Sequence, residues 1–309
     1  MTKYITKRLG MSVVTMFFII TLTFFLMHSV PGNPINREGK IPPQVYKNLE
    51  VKYGLDKPIS EQYLIYLKNI LKLNFGESMK SKTETVNQMI ARGFPVSARL
   101  GLQALILALI LGPLLGCLAA LYQNKAPDYI AMIFAIIGIS VPSFIMGTLL
   151  IQFIAKGGAL PVSGWGSFKY TILPSIALSL MPTAQIARLM RSSMLEVLGQ
   201  DYMKTAKSKG LSKAKIILKH GVRNSILPVV SVLGTITADL LMGSFVVEKI
   251  FGIPGLGRFF VNSITNRDYT LIMGTTVFYG LVLVIMILVV DILYVFIDPR
   301  IKLSGGGNK

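Results

Sequence analysis

Long apolar segments constrain this sequence more than any other feature. A helix needs about 20 mostly apolar residues to cross the hydrocarbon layer of a membrane. Six segments are long enough, the first without a charged side chain and the others with at most one. The sequence therefore predicts an all-α membrane protein with six transmembrane helices, at about Leu9–Val30, Ala98–Tyr122, Tyr129–Ile154, Thr171–Met190, Ser225–Val247 and Leu271–Ile297.

The net charge of +18 indicates a membrane protein rather than a nucleic-acid-binding protein. Only 15% of the residues are charged and 52% are hydrophobic, whereas soluble proteins have about 25% charged residues. A basic surface domain with interleaved aromatic residues, typical of a nucleic-acid partner, is not visible in the sequence. Cationic residues also hold loops on the cytoplasmic side and face anionic lipid. We therefore expect the lipid bilayer, and no nucleic acid, as a partner.

The distribution of lysine and arginine predicts the orientation of the chain. The segments expected in the cytoplasm, counted from Arg188 at the end of the fourth span, carry 16 of these residues, and the two short outer loops carry five. The first apolar segment is preceded by Lys3, Lys7 and Arg8. It is too long for a signal-peptide core and no small-residue cleavage site follows it. With six spans, both termini are predicted to be cytoplasmic.

The sequence divides into three parts. Residues 1–34 hold the N-terminus and the first span, residues 35–97 form a polar extracellular insert, and residues 98–309 form a five-helix core. The insert contains two short helical patterns, and Ser60 is placed to cap the second. Its apolar residues are too few to bury a core, so the insert is predicted to be a lid or docking layer.

A basic stretch lies between the fourth and fifth spans, in a cytoplasmic loop of about residues 193–224. It is predicted to form two short helices. Gly210 ends the first, because glycine accepts the left-handed conformation that follows many helices. Ser212 is placed to cap the second. The lysines of this stretch either meet a protein partner or face lipid headgroups and cytosol, and the sequence leaves both interpretations open.

The sequence contains no recognisable motif for catalysis or metal binding. It lacks a G-x-x-x-x-G-K-[ST] phosphate loop, an H-E-x-x-H pair and a G-x-S-x-G elbow. Its single cysteine, Cys117, excludes an internal disulfide and a cysteine metal cluster. The chain is therefore predicted to be non-catalytic, with no metal site and no cofactor of its own.

The basic stretch also carries a spaced pattern of residues. It reads Asp201, Tyr202, Thr205, Ala206, Lys209, Gly210 and Leu211, followed by His220, Arg223, Asn224 and Pro228. This pattern resembles the cytoplasmic motif of permeases of ATP-binding-cassette importers, in the form written by the dipeptide, oligopeptide and nickel branch. Lys204 departs from the general motif, which has glutamate there. The resemblance covers nearly the whole chain, and the long insert after the first span is similar to that of the B-type subunit.

The resemblance implies a type I importer permease fold and a set of partners. The chain is expected to form half of a translocation path together with a homologous second permease. Two ATPase subunits, which bind the ATP and Mg²⁺, are expected as partners. One of them is expected to receive the coupling residues in a groove, namely Asp201, Tyr202, Thr205, Ala206, Lys209, Gly210 and Leu211. An extracellular substrate-binding protein is expected to dock near residues 35–97, and the location implied is the cell membrane of a prokaryote.

The resemblance favours di- or oligopeptides as cargo. A permease for nickel or metal complexes is an alternative, because those systems share the same signatures. A secondary transporter is a second alternative, but it needs coupled ion sites and normally inverted repeats, and no repeat is visible here.

Four residues are candidates for lining the path: Asp239, Gln185, Pro142 and Met242. A carboxylate in the middle of a span costs at least about 2.5 kcal/mol to insert, so Asp239 needs water or a partner. We expect it either to offset the α-ammonium charge of a peptide and keep the path hydrated, or to hydrogen-bond a neighbouring span. The prolines of the third and fourth spans indicate either a path or ordinary kinked helices.

The last outer loop holds an apolar segment rich in glycine and proline. This composition predicts a re-entrant turn or an outer gate lip, formed by Phe251, Pro254, Gly255 and Gly257. Asp291, nearer the inner surface, is predicted to be an interface or packing residue.

Overall fold

The structure is a computed structural model that describes residues 2–31, 42–81 and 83–297. The predicted cytoplasmic C-terminus and the end of the first predicted part lie outside these ranges. Within them the chain forms helices and no strand. The first half contains α1 (Thr2–Ser29), α2 (Pro43–Lys52), α3 (Ile59–Leu71), α4 (Val86–Leu121), α5 (Ala126–Ser140) and α6 (Ser143–Leu150), which continues as a π-helix over Ile151–Ala155. The second half contains α7 (Lys169–Leu198), α8 (Asp201–Ser208), α9 (Lys213–Lys215), a π-helix (Ile216–Val222), α10 (Arg223–Ser225), α11 (Leu227–Met242), α12 (Phe245–Ile250), α13 (Leu256–Asn266) and α14 (Tyr269–Ile297).

The all-helical membrane fold is confirmed, with six crossings if α5 and α6 together form one. Five segments of the described chain are long and apolar enough to span a membrane: α1, α4, α7, α14 and the pair α11–α12. The pair α5–α6 also has the necessary length and composition, but it bends by 108°. Val141 adopts φ −93° and ψ 119°, because a following proline disfavours helical backbone. Pro142 therefore separates two helices, so the predicted third span is broken at its proline.

The helices run between two ends of the molecule, which we name the basic end and the insert end. The basic end contains residues 199–222 together with the start of α1 and the end of α14, which are joined by an ion pair between Arg8 and Asp291 at 3.1 Å. The insert end contains residues 42–81 and the start of α14. Here Asp268 accepts a hydrogen bond from the Ser78 hydroxyl and another, at 3.1 Å, from the Leu271 amide at the start of α14.

Two predicted helix starts differ from the structure. α4 begins at Val86, twelve residues before the predicted second span, because Thr85 and Gln88 form a complete capping box there. α3 follows Pro58 and has no side-chain cap, so the prediction that Ser60 caps it is wrong.

Close contact between α4 and α7 forms the centre of the bundle. Glycines on α4 allow the two backbones to approach. A Cβ atom on Gly116 would lie 2.5 Å from the Ala187 carbonyl oxygen, and one on Gly112 would lie 2.6 Å from the Ile186 side chain. Small residues at such contacts are the usual means by which helices pack tightly in a membrane.

The insert packs on the outer half of α1 through aromatic side chains. Phe24 lies with its ring centroid 5.3 Å from Tyr63 and 5.4 Å from Tyr66, both on α3. His28 Nε2 lies 3.0 Å from the Gln62 side-chain oxygen. These contacts hold the insert against the bundle.

A buried ion pair fixes the turn between α4 and α5 against α7 at the basic end. The Asp128 carboxylate accepts hydrogen bonds from two guanidinium nitrogens of Arg191, at 2.6 and 2.7 Å. It accepts a third from the Asn124 amide at 3.0 Å. Asp128 is 2% exposed. The two-point contact sets both distance and angle between the elements.

Removing the arginine from this pair should destabilise the protein. The loss of one partner from a fully buried pair costs about 3–5 kcal/mol. Because the Arg191 side chain is 25% exposed, we expect about 1–3 kcal/mol for Arg191→Met, measured by denaturant unfolding of the purified protein in detergent. Adding Asp128→Asn should restore part of the loss, since the uncompensated charge is then absent. Additive losses in the double variant would contradict this assignment.

Candidate functional site

A line of polar side chains crosses the otherwise apolar helix α11. Ser231, Thr235 and Asp239 follow one another at four-residue spacing on one helix face, and all three are exposed. The two hydroxyls donate to carbonyl oxygens of their own helix, at 2.7 and 2.9 Å. Polar and ionisable residues in spans normally face a bundle interior or a water-filled cavity rather than lipid. This face, which we name the polar stripe, therefore meets water or another polypeptide.

Asp239 is the last residue of this stripe along α11, and it bonds to a neighbouring helix. Its carboxylate accepts a hydrogen bond from the Tyr279 hydroxyl of α14. The structure thus contains the bond to a neighbouring span that the sequence offered as one of two interpretations. Asp239 nevertheless stays exposed, so its remaining lone pairs are open to a solute or to water.

An apolar cavity of about 260 Å³ lies beside this pair. It is lined by Met242, Phe245, Leu256, Phe260, Thr276 and Tyr279, among others. Of the four predicted path residues, Met242 lines the cavity and Asp239 lies next to it through Tyr279. Gln185 on α7 is half-buried and Pro142 is exposed at the α5–α6 break, and neither lines this cavity.

A buried acid, Glu248, holds the segment between α12 and α13 together. Its Oε1 accepts a hydrogen bond from the Ser97 hydroxyl of α4 at 2.6 Å. The same hydroxyl accepts one from the Leu256 amide at 2.8 Å. Glu248 is 0% exposed and lies at the first turn of α13, where unpaired amides and the helix dipole favour a negative charge. The acid thus joins three helices at the insert end.

The residues predicted to form an outer gate lip pack around Glu248. Phe251, Gly255 and Gly257 are buried, and Pro254 is half-buried. A Cβ atom on Gly255 would lie 2.4 Å from the Glu248 carboxyl group. The glycines of this segment therefore make room for the acid. The sequence also gives Glu248 as part of the pattern that carries the family resemblance, but no structural role was predicted for it. A lone carboxylate in an apolar, glycine-rich stretch is the available signal for that role.

The basic stretch forms two short helices, as predicted. Gly210 has φ +74°, the left-handed conformation expected after a helix end, and the Ser212 side chain accepts a hydrogen bond from the Lys215 amide at 3.4 Å. Both predictions are confirmed. The first helix, α8, ends at Ser208, and most of the second is a π-helix.

The predicted coupling residues divide between an outer and an inner face of α8 and the turn after it. The outer residues are Asp201, Tyr202, Thr205, Lys209 and Gly210, which are exposed, with Leu211 half-buried. On the inner face, Ala206 is 6% exposed and Met203 5%, so Ala206 packs within this chain. Lys204 forms an exposed ion pair with Asp201 at 2.8 Å.

Two family models together match nearly all of the sequence. The description "Binding-protein-dependent transport system inner membrane component" matches residues 112–303, and the description of its N-terminal region matches residues 1–101. Similar proteins include the dipeptide transport system permease protein DppB of Bacillus subtilis, 52% identical over 99% of this chain and 100% of that protein. The oligopeptide transport system permease protein OppB is 45% identical in Haemophilus influenzae and 43% in Escherichia coli K12, in each case over 98% of this chain and 100% of that protein. A solved structure entitled "Crystal structure of an amino acid ABC transporter with histidines" aligns with a TM-score of 0.49 and 16% identity, covering 69% of this chain and 94% of that chain.

Adding a methyl group at Gly255 should disrupt the packing around Glu248. The new Cβ atom has no free space, and overpacking of this kind costs about 1–3 kcal/mol. We expect Gly255→Ala to lower the unfolding midpoint of the purified protein in detergent. Gly157→Ala is the matched control, because its Cβ atom would make only an ordinary contact at 3.5 Å with the Ile154 carbonyl oxygen. Equal midpoints for the two variants would disprove the packing argument.

Proposed function

The chain belongs to the family of binding-protein-dependent transport system inner membrane components, and we propose that it is the permease through which an ATP-driven importer moves di- or oligopeptides. Relatives with dipeptide and oligopeptide permease names match it over their full length at 43% to 52% identity. These names favour peptides over nickel complexes as cargo. Its helices make it a multi-pass membrane protein, a non-catalytic subunit of the transporter.

The polar stripe is the observation that carries the path assignment. A stripe of Ser231, Thr235 and Asp239 facing lipid would be costly, whereas on the wall of a hydrated path it binds water. We assign this stripe, the cavity and Met242 to the half of the path that this chain forms. A homologous second permease then forms the other half. Gln185 and Pro142 are the predicted path residues that lie away from the cavity.

We place the basic end in the cytoplasm, with both chain termini, and the insert end outside. The charge difference between the two sides supports this orientation. One of the two ATPase subunits, which hold ATP and Mg²⁺, would then bind the outer face of α8 and Gly210. A substrate-binding protein would dock on the insert, beside the gate lip formed by residues 251–257.

The contacts of α8 would allow it to transmit movement from the ATPases to the helices that form the path. Only Gly199 and Gln200 separate α8 from α7. Asn224, in the short helix α10 that leads into α11, donates a hydrogen bond to the Tyr202 hydroxyl at 3.3 Å. A displacement of α8 therefore reaches the central helix and the path-lining helix together. Closure of the ATPases would tilt both spans and change access to the path.

A side chain at Gly210 should uncouple transport from the ATPases. Within this chain a Cβ atom on Gly210 meets no atom within 4 Å, so Gly210→Asp leaves the subunit in the membrane while placing bulk and charge at the docking face. We expect peptide uptake by whole cells to fall to background, with wild-type amounts of the protein in membranes.

The control for this experiment is Gly158→Asp at the insert end. Gly158 has a similar φ of +81° and equally open surroundings, so the backbone strain is the same in both variants. Wild-type uptake by Gly210→Asp, or equal losses in the two variants, would refute the docking assignment.

Removing the charge of Asp239 should affect free peptides more than blocked ones. Asp239→Asn keeps an acceptor for Tyr279 but no longer offsets an α-ammonium group. We expect uptake of a free dipeptide to fall about tenfold, equivalent to about 1.4 kcal/mol, with a smaller effect on the N-acetylated dipeptide. Identical losses for the two peptides would remove the charge-pairing role.

A further inference from the structure

We propose that the cavity between the end of α11, the helices α12 and α13, and α14 receives the side chain of the first residue of a transported peptide, while Asp239 receives the α-ammonium group of that residue. This inference rests on the proposed function and adds a subsite to it. It follows from the position, size and lining of the cavity.

The cavity is smaller than most sites that enclose a whole small molecule. Sites that enclose entire small molecules usually measure about 300–1,000 Å³, and this one measures about 260 Å³ and is partly open. Its walls are mostly apolar, built from Met242, Phe245, Leu256 and Phe260. A leucine or phenylalanine side chain matches this lining, whereas a charged side chain would lose its hydration without gaining a partner.

Two residues, Tyr279 and Met242, connect the Asp239 carboxylate to the cavity. Tyr279 lines the cavity and donates its hydroxyl hydrogen to Asp239. Met242, three residues after Asp239 on α11, lies on the same helix face and also lines the cavity. In the first residue of a peptide, the ammonium nitrogen and the side chain are attached to one carbon atom. A site for this residue therefore needs a negative group directly beside an apolar space, which is the arrangement present here.

Filling the cavity should change selectivity between peptides without abolishing transport. We choose Met242→Trp, in the complete transporter, in cells without other peptide uptake systems. The probes are radiolabelled Phe-Ala and Gly-Ala at saturating concentration. We expect uptake of Phe-Ala to fall about tenfold relative to Gly-Ala, the order of discrimination that a shaped apolar pocket provides. Because the substrate-binding protein is unchanged, its own preference cancels when the ratios of the variants are compared.

Two further variants keep the result interpretable. Met11→Trp makes the same change on the exposed face of α1 and should leave the Phe-Ala to Gly-Ala ratio unchanged. Met242→Ala enlarges the cavity and should raise uptake of Trp-Ala relative to Gly-Ala, which tests the subsite if the tryptophan variant does not fold.

The outcomes separate this inference from the proposed function. An unchanged ratio in both Met242 variants, or an equal loss of both peptides in folded Met242→Trp, would overturn the subsite while leaving the permease assignment intact. Unaltered peptide uptake after deletion of the whole chain would instead overturn the proposed function itself.

Discussion

The lack of water in the bilayer interior is the constraint on which this structure depends. A buried charge or polar group must find its partner inside the protein, since none is available from the surroundings. Asp128 meets Arg191, and Glu248 meets Ser97 and the first turn of α13. Both contacts join helices that are distant in sequence, so these buried polar groups also determine how the helices are arranged. Asp239 differs, because it accepts a hydrogen bond from Tyr279 but remains exposed.

The two ends of the molecule are joined by the compact pair α4–α7. At the basic end, α7 leads almost directly into α8, and its Arg191 holds the start of α5. At the insert end, α4 supplies Ser97 to the segment that leads into α13. A close backbone contact between the two helices resists compression. Movement applied at one end is therefore passed to the other as a shift of packed helices rather than absorbed by local deformation.

The sequence predicts features that depend on local chemistry and misses those that depend on distant contacts. The sequence predicts the spans because the membrane directly requires their apolar length. It predicts the turn at Gly210 because that backbone conformation depends on the residue itself. The start of α4 is misplaced because Arg92 lies in its first turns, and the sequence alone does not show that this charge is paired with Glu84 at 2.6 Å. The pair of Asp128 and Arg191 is separated by 63 residues, and no local pattern connects them. The 108° bend at the α5–α6 break likewise depends on packing, although its proline is evident.

The position of α1 has a consequence for biosynthesis. This helix packs mainly along α14, and the pairing of Arg8 with Asp291 joins their ends at the basic end. α1 therefore leaves the ribosome long before α14, its principal partner among the described helices, since 240 residues separate Ser29 from Tyr269. At about 5–20 residues per second, translation leaves α1 waiting for about 10–50 s. In the most apolar window of α1 only 17% of the residues are buried within the chain, which suits a helix that must first be stable in lipid alone.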